Sequence, residues 1–227
     1  MPAHPLILAH RGAHRSASTP ENSHAAFEQA LKQGCDGFEC DVRLTQSGRA
    51  VICHDEKVNG VLVSSADRKQ LLHLPCVEEV IQRYGQNAFL DIELKVSGLE
   101  AKVLSALREF PPEREYVISS FLVDVILELK ARSAVVPVGI ICEKANQLVA
   151  WRKLPVDYVI VHKSLITKKL VQLIQSAGRK IMAWTINDKR SMAQLAGWGV
   201  DGLISDNPVL LRKTLRSAGS KPSTRVD

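Results

Sequence analysis

Short apolar runs alternate with helix-patterned segments along almost the whole chain, and this alternation limits the fold more than any single motif does. Leu6-Ile7-Leu8-Ala9 is the first run, fully apolar as strands buried on both faces are. Strand-like stretches recur at 37–44, 89–95, 115–120, 135–142, 157–162, 180–186 and 201–205. Each is followed by a helical pattern. The first is opened by Pro20-Glu21-Asn22-Ser23 and runs to about Gln33; the second runs from Val77 to about Tyr84. The others span 99–109, 122–132, 146–152, 167–177, 188–197 and 208–217. Gly34 and Gly85 stop the first two. Strands separated by helices imply right-handed parallel crossovers. Eight such units in 227 residues match the size of a closed (β/α)8 barrel. An open doubly wound sheet is the alternative, but the first βα turn holds only Gly12, without a dinucleotide fingerprint.

One strand breaks the rhythm. After 37–44 comes a turn, Thr45-Gln46-Ser47-Gly48, and then a second strand over Ala50 to Asp55. The short Gly-containing loop implies a hairpin that brings His54 back towards the level of Asp41. Residues 56–75 read as an irregular polar connection, with Asn59-Gly60 and Ser64-Ser65 as turn signals.

The strand before that hairpin carries two acids. Side chains alternate faces along a strand, so Glu39 and Asp41 project from one side while Phe38, Cys40 and Val42 take the other. Two like charges in a poorly solvated place repel unless a cation or proton sits between them. Half of a divalent metal site and a solvated edge strand are both open readings of this octamer.

In a (β/α)8 barrel, function lies at the C-terminal ends of the strands. The polar residues there are His10 and Arg11, Glu39 and Asp41, Glu93 and Lys95, Ser119 and Ser120, Glu143, His162, Trp184 and Asn187, and Asp206, with His54 arriving on the hairpin. Three carboxylates on adjacent strands are hard oxygen ligands that suit Mg²⁺ or Ca²⁺. Arg11 and Lys95 can hold an anion beside such a cation. A histidine near its ordinary pKa of about 6.5 can both take and give protons, so the set fits phosphate-ester chemistry. Plainer roles exist for each residue. A lone histidine after a strand is usually structural, and Asp91-x-Glu93-x-Lys95 could be an internal ion-pair ladder. Ser119, Ser120 and Glu143 read as capping or loop residues. His14, His24 and His73 read as solvated. Trp184 reads as packing, or as a ring covering a ligand at the cavity mouth.

Composition narrows the partners. The net charge is +6, but residues 211–227 place Arg212, Lys213, Arg216, Lys221 and Arg225 against Asp227, so most of that excess sits in the tail. Residues 218–227 are therefore expected to be a disordered basic tail behind a single domain over 1–217. With aromatics at 5%, a base-stacking platform and nucleic acid partners are not expected. Cys35, Cys40, Cys53, Cys76 and Cys142 form an odd, scattered set without CxxC spacing, which argues for reduced thiols. Met1-Pro2-Ala3-His4-Pro5 runs straight into a strand without a secretion pattern, and no apolar run approaches the ~20 residues of a bilayer span. A soluble cytoplasmic protein without stable membrane insertion is expected.

The motifs His10-Arg11-Gly12, Pro20-Glu21-Asn22, Glu39-Cys40-Asp41, His54-Asp55, Glu93-Leu94-Lys95 and Trp184-Thr185-Ile186-Asn187 resemble, in order, those of the glycerophosphodiester phosphodiesterases. Trp198-Gly199-Val200-Asp201-Gly202 and Ser205-Asp206-Asn207-Pro208 extend the resemblance to nearly the whole chain. It implies a TIM barrel that hydrolyses glycerophosphodiesters to sn-glycerol 3-phosphate and an alcohol with a divalent cation. By the same resemblance Glu39, Asp41 and Glu93 would bind the metal, and His10 and His54 would be general base and acid. Arg11 and Lys95 would hold the phosphate, Trp184 would border the substrate, and Glu21 would orient the first loop. Two departures stand out. The segment after the His-Asp motif, Glu56 to Pro75, is shorter than the family's cap, and Asp91 replaces an amide. Rival readings are a lysophospholipase D-like phosphodiesterase and a catalytically silent barrel serving as sensor or scaffold.

Overall fold

The computed structural model describes residues 4–14, 19–67 and 69–219. Strand β1 (Leu6–Ala9) leads to helix α1 (His24–Lys32), and β2 (Gly37–Leu44) to its return strand β3 (Ala50–Ile52). A small pair, β4 (Lys57–Val58) and β5 (Val61–Leu62), precedes α2 (Val77–Tyr84) and β6 (Phe89–Leu94). Regular units follow: α3 (Glu100–Glu109), β7 (Tyr116–Ser120), α4 (Val123–Arg132), β8 (Val138–Cys142), α5 (Ala145–Ala150) and β9 (Tyr158–His162). The last are α6 (Lys168–Ser176), β10 (Lys180–Trp184), α7 (Lys189–Gly197), β11 (Gly202–Ser205) and α8 (Pro208–Gly219). Strands β1, β2 and β6 to β11 run parallel, and β1 pairs with both β11 and β2. The sheet is therefore closed, and the fold is a (β/α)8 TIM barrel.

Alternation of side chains creates two cores. Outside the barrel, Phe38, Cys40 and Val42 are buried against the helices. Phe38 stacks on Phe27 of α1 at 4.1 Å between ring centroids and meets Tyr84 of α2 edge-on. Inside, Leu8, Phe89, Val117, Ile141, Tyr158, Ile160, Met182 and Ile204 form a second cluster. Each fully buried aliphatic or aromatic side chain contributes about 1.5–3 kcal/mol. Gly37 lets β2 lie close to β6, since a Cβ there would sit 1.9 Å from the Phe89 carbonyl oxygen. The resulting register places Glu39 opposite Asp91 and Asp41 opposite Glu93.

Several boundaries differ from the sequence expectation. Helix α1 begins at His24, after Ser23 caps it by accepting from the Ala26 amide at 3.2 Å. Strand β8 begins at Val138 because Pro137 has no N–H for the ladder, and Val135 is 92% exposed. Strand β10 stops at Trp184, and α5 gives way to a 3₁₀ turn at Trp151–Lys153. Strand β3 ends at Ile52 instead of Asp55. Cys53 N–H donates to the Asp41 carbonyl at 2.8 Å, and the chain bends away there.

Residues 56–75 are not irregular. Asn59 and Gly60 both take left-handed φ (+50° and +81°) in the two-residue turn between β4 and β5, as such a turn requires. A 3₁₀ turn at Val63–Ser65 follows. Val63, Ala66 and Leu71 pack with Val51 and Cys53 into a small apolar cluster of their own. The segment is a folded cap seated on the β2–β3 hairpin. Among the described residues, no helix is long and apolar enough to cross a membrane. Helix α8 continues to Gly219, and residues 220–227 of the expected basic tail lie outside the described residues.

Candidate active site

The loop after β1 is shaped by two successive left-handed residues, Arg11 (φ +53°) and Gly12 (φ +79°). Only glycine suits the second position, since a Cβ there would also meet the Ala26 backbone at 2.7 Å. The conformation of Arg11 costs about 1–2 kcal/mol, but it aims the Arg11 N–H at Glu39 Oε2, 2.9 Å away. That is a charge-assisted hydrogen bond. The Arg11 side chain is forked by Glu21, with Nη1 at 3.0 and 3.2 Å from its two oxygens. Its Nε lies 3.4 Å from Asp41 Oδ2. Asn22, also left-handed, donates from Nδ2 to Asp41 Oδ2 (2.8 Å) and accepts from the Asp41 N–H (3.2 Å).

Four carboxylates, Glu39, Asp41, Asp91 and Glu93, are buried side by side in two rungs of β2 and β6. Glu39, Asp41 and Glu93 each offer an oxygen within 4.8 Å of the other two. Burial first, and then the charges of Asp41, Glu93 and Asp91, push the Glu39 carboxyl well above the usual carboxylate range. Glu93 is raised by burial and by Asp41. Burial pushes Asp91 up to about 7, although Ser119 Oγ donates to it at 2.5 Å. Lys95 Nζ lies 2.7 Å from Glu93 Oε1 and 3.3 Å from Asp41 Oδ1. Lys95 is the group that faces Glu93 Oε1, while among the described residues Glu39 Oε1 and Asp91 Oδ2 have no hydrogen-bond partner. The solvated-edge reading of β2 therefore fails. The ion-pair ladder is only partly present, because Arg11 and Lys95 face four buried acids. Uncompensated buried charge is costly, and the cluster suits an added cation.

Above the acids is a cavity of about 260 Å³. His10, His54, Arg11 and Lys95 stand on one side; Phe121, Ile141, Ile160 and Trp184 form an apolar wall on the other. His10 Nδ1 is 2.6 Å from Asp206 Oδ1, and its Nε2 is 3.9 Å from Glu39 Oε2. Asp206 is fixed by Asn187, whose Nδ2 donates to Oδ2 at 2.6 Å and whose Oδ1 accepts from the Asp206 N–H at 3.0 Å. Burial alone would raise the Asp206 carboxyl, yet its hydrogen bonds with His10 and Asn187 hold it down to about 2. His54 Nδ1 is 2.9 Å from Asp55 Oδ1, and the His54 carbonyl accepts from Arg43 Nε at 2.8 Å. The hydrogen bond with His54 lowers the Asp55 carboxyl too. An ionised carboxylate only accepts, so Nδ1 carries the hydrogen in both histidines.

The glycerophosphoryl diester phosphodiesterase family model matches residues 10–88 and 64–210. The chain belongs to this family of enzymes. It is 29% identical to a glycerophosphodiester phosphodiesterase of Caldanaerobacter subterraneus, over 94% of this chain and 99% of that one. A glycerophosphodiester phosphodiesterase of Bacillus altitudinis is likewise 29% identical, over 89% and 94% of the two chains. An Oleispira antarctica phosphodiesterase, solved in complex with the product sn-glycerol-3-phosphate, superposes with a TM-score of 0.82. It is 26% identical, with 94% of this chain and 97% of that chain covered.

The family motifs have distinct placements here. His10, Arg11, Glu39, His54, Glu93, Lys95 and Trp184 line the cavity, Asp41 lies within the acid cluster, and Glu21 stands behind Arg11. Glu143, read as a loop residue, also lines the cavity. His162 turns aside, with Nδ1 2.8 Å from Ser164 Oγ and its ring edge-on to Trp184. Ser119 and Ser120 are fully buried and bond Asp91 and the Leu94 carbonyl. His24 is half-buried against Tyr84 and not solvated, and His14 is half-buried too; His73 is exposed as expected. Sequence reasoning passed over Asn22, which sits inside the Pro-Glu-Asn motif, and Arg43, which shares the face of Glu39 and Asp41. The two-residue period was the available signal for Arg43.

Proposed function

We propose that this enzyme hydrolyses glycerophosphodiesters to sn-glycerol 3-phosphate and an alcohol, with one divalent cation, Mg²⁺ or Ca²⁺, held by Glu39, Asp41 and Glu93. One observation carries this reading: three buried acids converge, each with an oxygen within 4.8 Å of the other two, beneath a cavity lined by two carboxylate-backed histidines. Hard carboxylate oxygens suit these ions. When bound, the cation supplies Lewis-acid polarisation of the phosphoryl oxygens. The sn-glycerol-3-phosphate bound by the Oleispira relative supports the product assignment.

Arg11 and Lys95 hold the non-bridging oxygens of the diester, and Glu21 keeps the Arg11 fork in place. His10 has its Nδ1 hydrogen engaged by Asp206, which leaves Nε2 as acceptor. It removes the proton of the nucleophile, either water or the neighbouring glycerol hydroxyl. His54, in its protonated form, gives its Nε2 proton to the alkoxide as the P–O bond to the alcohol breaks. Trp184, whose Nε1–H is buried without a hydrogen-bond partner among the described residues, borders the substrate and offers it a donor. One domain over 1–217 carries all of these groups. The five free cysteines support a reducing, cytoplasmic setting.

The test is a panel of glycerophosphodiesters assayed with and without a chelator, reading out glycerol 3-phosphate. Chelation is expected to abolish turnover, and added Mg²⁺ or Ca²⁺ to restore it. Turnover that survives excess chelator sinks the metal assignment. Absence of glycerol 3-phosphate from every ester, with Mg²⁺, Ca²⁺ and Mn²⁺ each supplied, sinks the whole reading.

A further inference from the structure

The inward faces of β2 and β6 do not end at the acids. Arg43 follows Asp41 and Lys95 follows Glu93 at two-residue spacing, so the third rung is cationic. Arg43 lines a second cavity of about 450 Å³, together with Glu56, Leu62, Val63, Ser64 and Ser97. Its wall is tied to that of the first cavity through the chain: Arg43 holds the His54 carbonyl at 2.8 Å, Glu56 is two residues beyond His54, and Val96 follows Lys95.

We propose that this second cavity receives the alcohol half of the substrate and is built for an uncharged, hydroxyl-rich alcohol. The proposal rests on the role given to His54. A group that protonates the departing alkoxide must stand beside the alcohol, and the cavity whose wall holds the His54 backbone through Arg43 is this one. Its chemistry selects among alcohols. Arg43 presents donors, Glu56 an acceptor, and Ser64 and Ser97 hydroxyls that do both. Among the described residues, the side chains of Glu56, Ser64 and Ser97 have no partner, and all three residues are exposed. The opposite charges of Arg43 and Glu56 leave the walls without a net attraction for a charged head group, and there is no aromatic ring among the lining residues, the surface a quaternary ammonium favours. A polyol satisfies donors and acceptors together, and its C–H face can rest on Leu62 and Val63.

The experiment compares kcat/KM for glycerophosphoinositol and glycerophosphocholine, with the cation supplied, in the wild type, S64A, S97A and E56Q. Wild type is expected to favour the inositol ester. Each variant is expected to lose about three- to tenfold on that ester, the effect of one hydrogen bond, and less than about twofold on the choline ester. Turnover of the choline ester also reports that each variant is folded. Variants that hydrolyse both esters with unchanged preference overturn the proposal and leave the phosphodiesterase reading intact. A wild type that prefers the choline ester overturns it as well. Hydrolysis of neither ester by wild type removes the reading beneath it.

Discussion

His10 and His54 face one cavity with the same local chemistry, a ring nitrogen against a carboxylate, but they are supported differently. His10 follows β1, its partner Asp206 follows β11, and Asn187 follows β10, so the chain of contacts crosses three neighbouring barrel strands. Ser205 Oγ adds a further bond to Asn187 Oδ1 at 3.1 Å. His54 instead hangs beyond the hairpin strand, backed by the next residue in the chain. The side chains of His10 and Asp206 are 18% and 38% exposed; those of His54 and Asp55 are 33% and 74% exposed. The closed sheet sets the first pair, while a local loop and its cap set the second. The first should tolerate little change in its backing, whereas water can replace the second's.

Removing the rings themselves should give the largest effects. His10→Ala is expected to lower kcat at least ~10²-fold on every ester, because no other group takes the nucleophile's proton. His54→Ala should lose as much with an alkyl leaving group, yet little with a nitrophenyl leaving group that departs without a proton. The check is kcat on the two ester types for both variants. Equal losses of His54→Ala on both would exclude the acid role, and near-normal turnover of the alkyl ester would do the same.

The supporting carboxylates come next. Asp206→Asn is expected to cost about ten- to hundredfold, the range found when a group that orients a functional histidine is lost. An amide there can donate to Nδ1, which puts the hydrogen on Nε2 and removes the acceptor. Asp55→Asn should cost less than about threefold, since an exposed Nδ1 can donate to water instead. Acid limbs of the kcat/KM profiles, measured for both variants, separate a tautomer effect from general damage. Matching losses would erase the contrast between the two pairs.

The contrast itself was only half legible in the sequence. Alternation of apolar runs and helical segments was enough for the barrel, because each strand of a closed parallel sheet is buried on both faces. The two-residue period of Glu39 and Asp41 was enough to put both acids on one face. The partners that orient the histidines were harder to read. Asp206 and His10 are 196 residues apart, and nothing local in Ser205-Asp206-Asn207 says which neighbour the carboxylate meets; barrel closure decides it. Asn22 was hidden for another reason, since its left-handed backbone and its grip on Asp41 look like ordinary helix-start chemistry in a linear reading. The cap over 56–75 was read as irregular because its strands are two residues long. Its apolar positions make sense only beside Val51 and Cys53 of the hairpin.

The smallest expected effect concerns acid stability, where the two pairs should differ in size. The Asp206 carboxyl titrates at about 2 in the folded protein against 3.8 for the ordinary group. As pH falls, the unfolded chain takes up this proton first, so the stabilisation is complete above about pH 4 and is lost progressively towards pH 2. Asp206→Asn should therefore flatten part of the acid-side decline, visible as urea midpoints that converge with wild type between pH 5 and about pH 2.5. Asp55 is also lowered by its histidine and carries the same sign, but it is almost fully solvated, and screening leaves an exposed pair little to contribute. Asp55→Asn should track the wild-type decline closely. If the two variants flattened the curve equally, the added bonds from Asn187 and the barrel strands would have no energetic consequence, and the two histidines would be held alike.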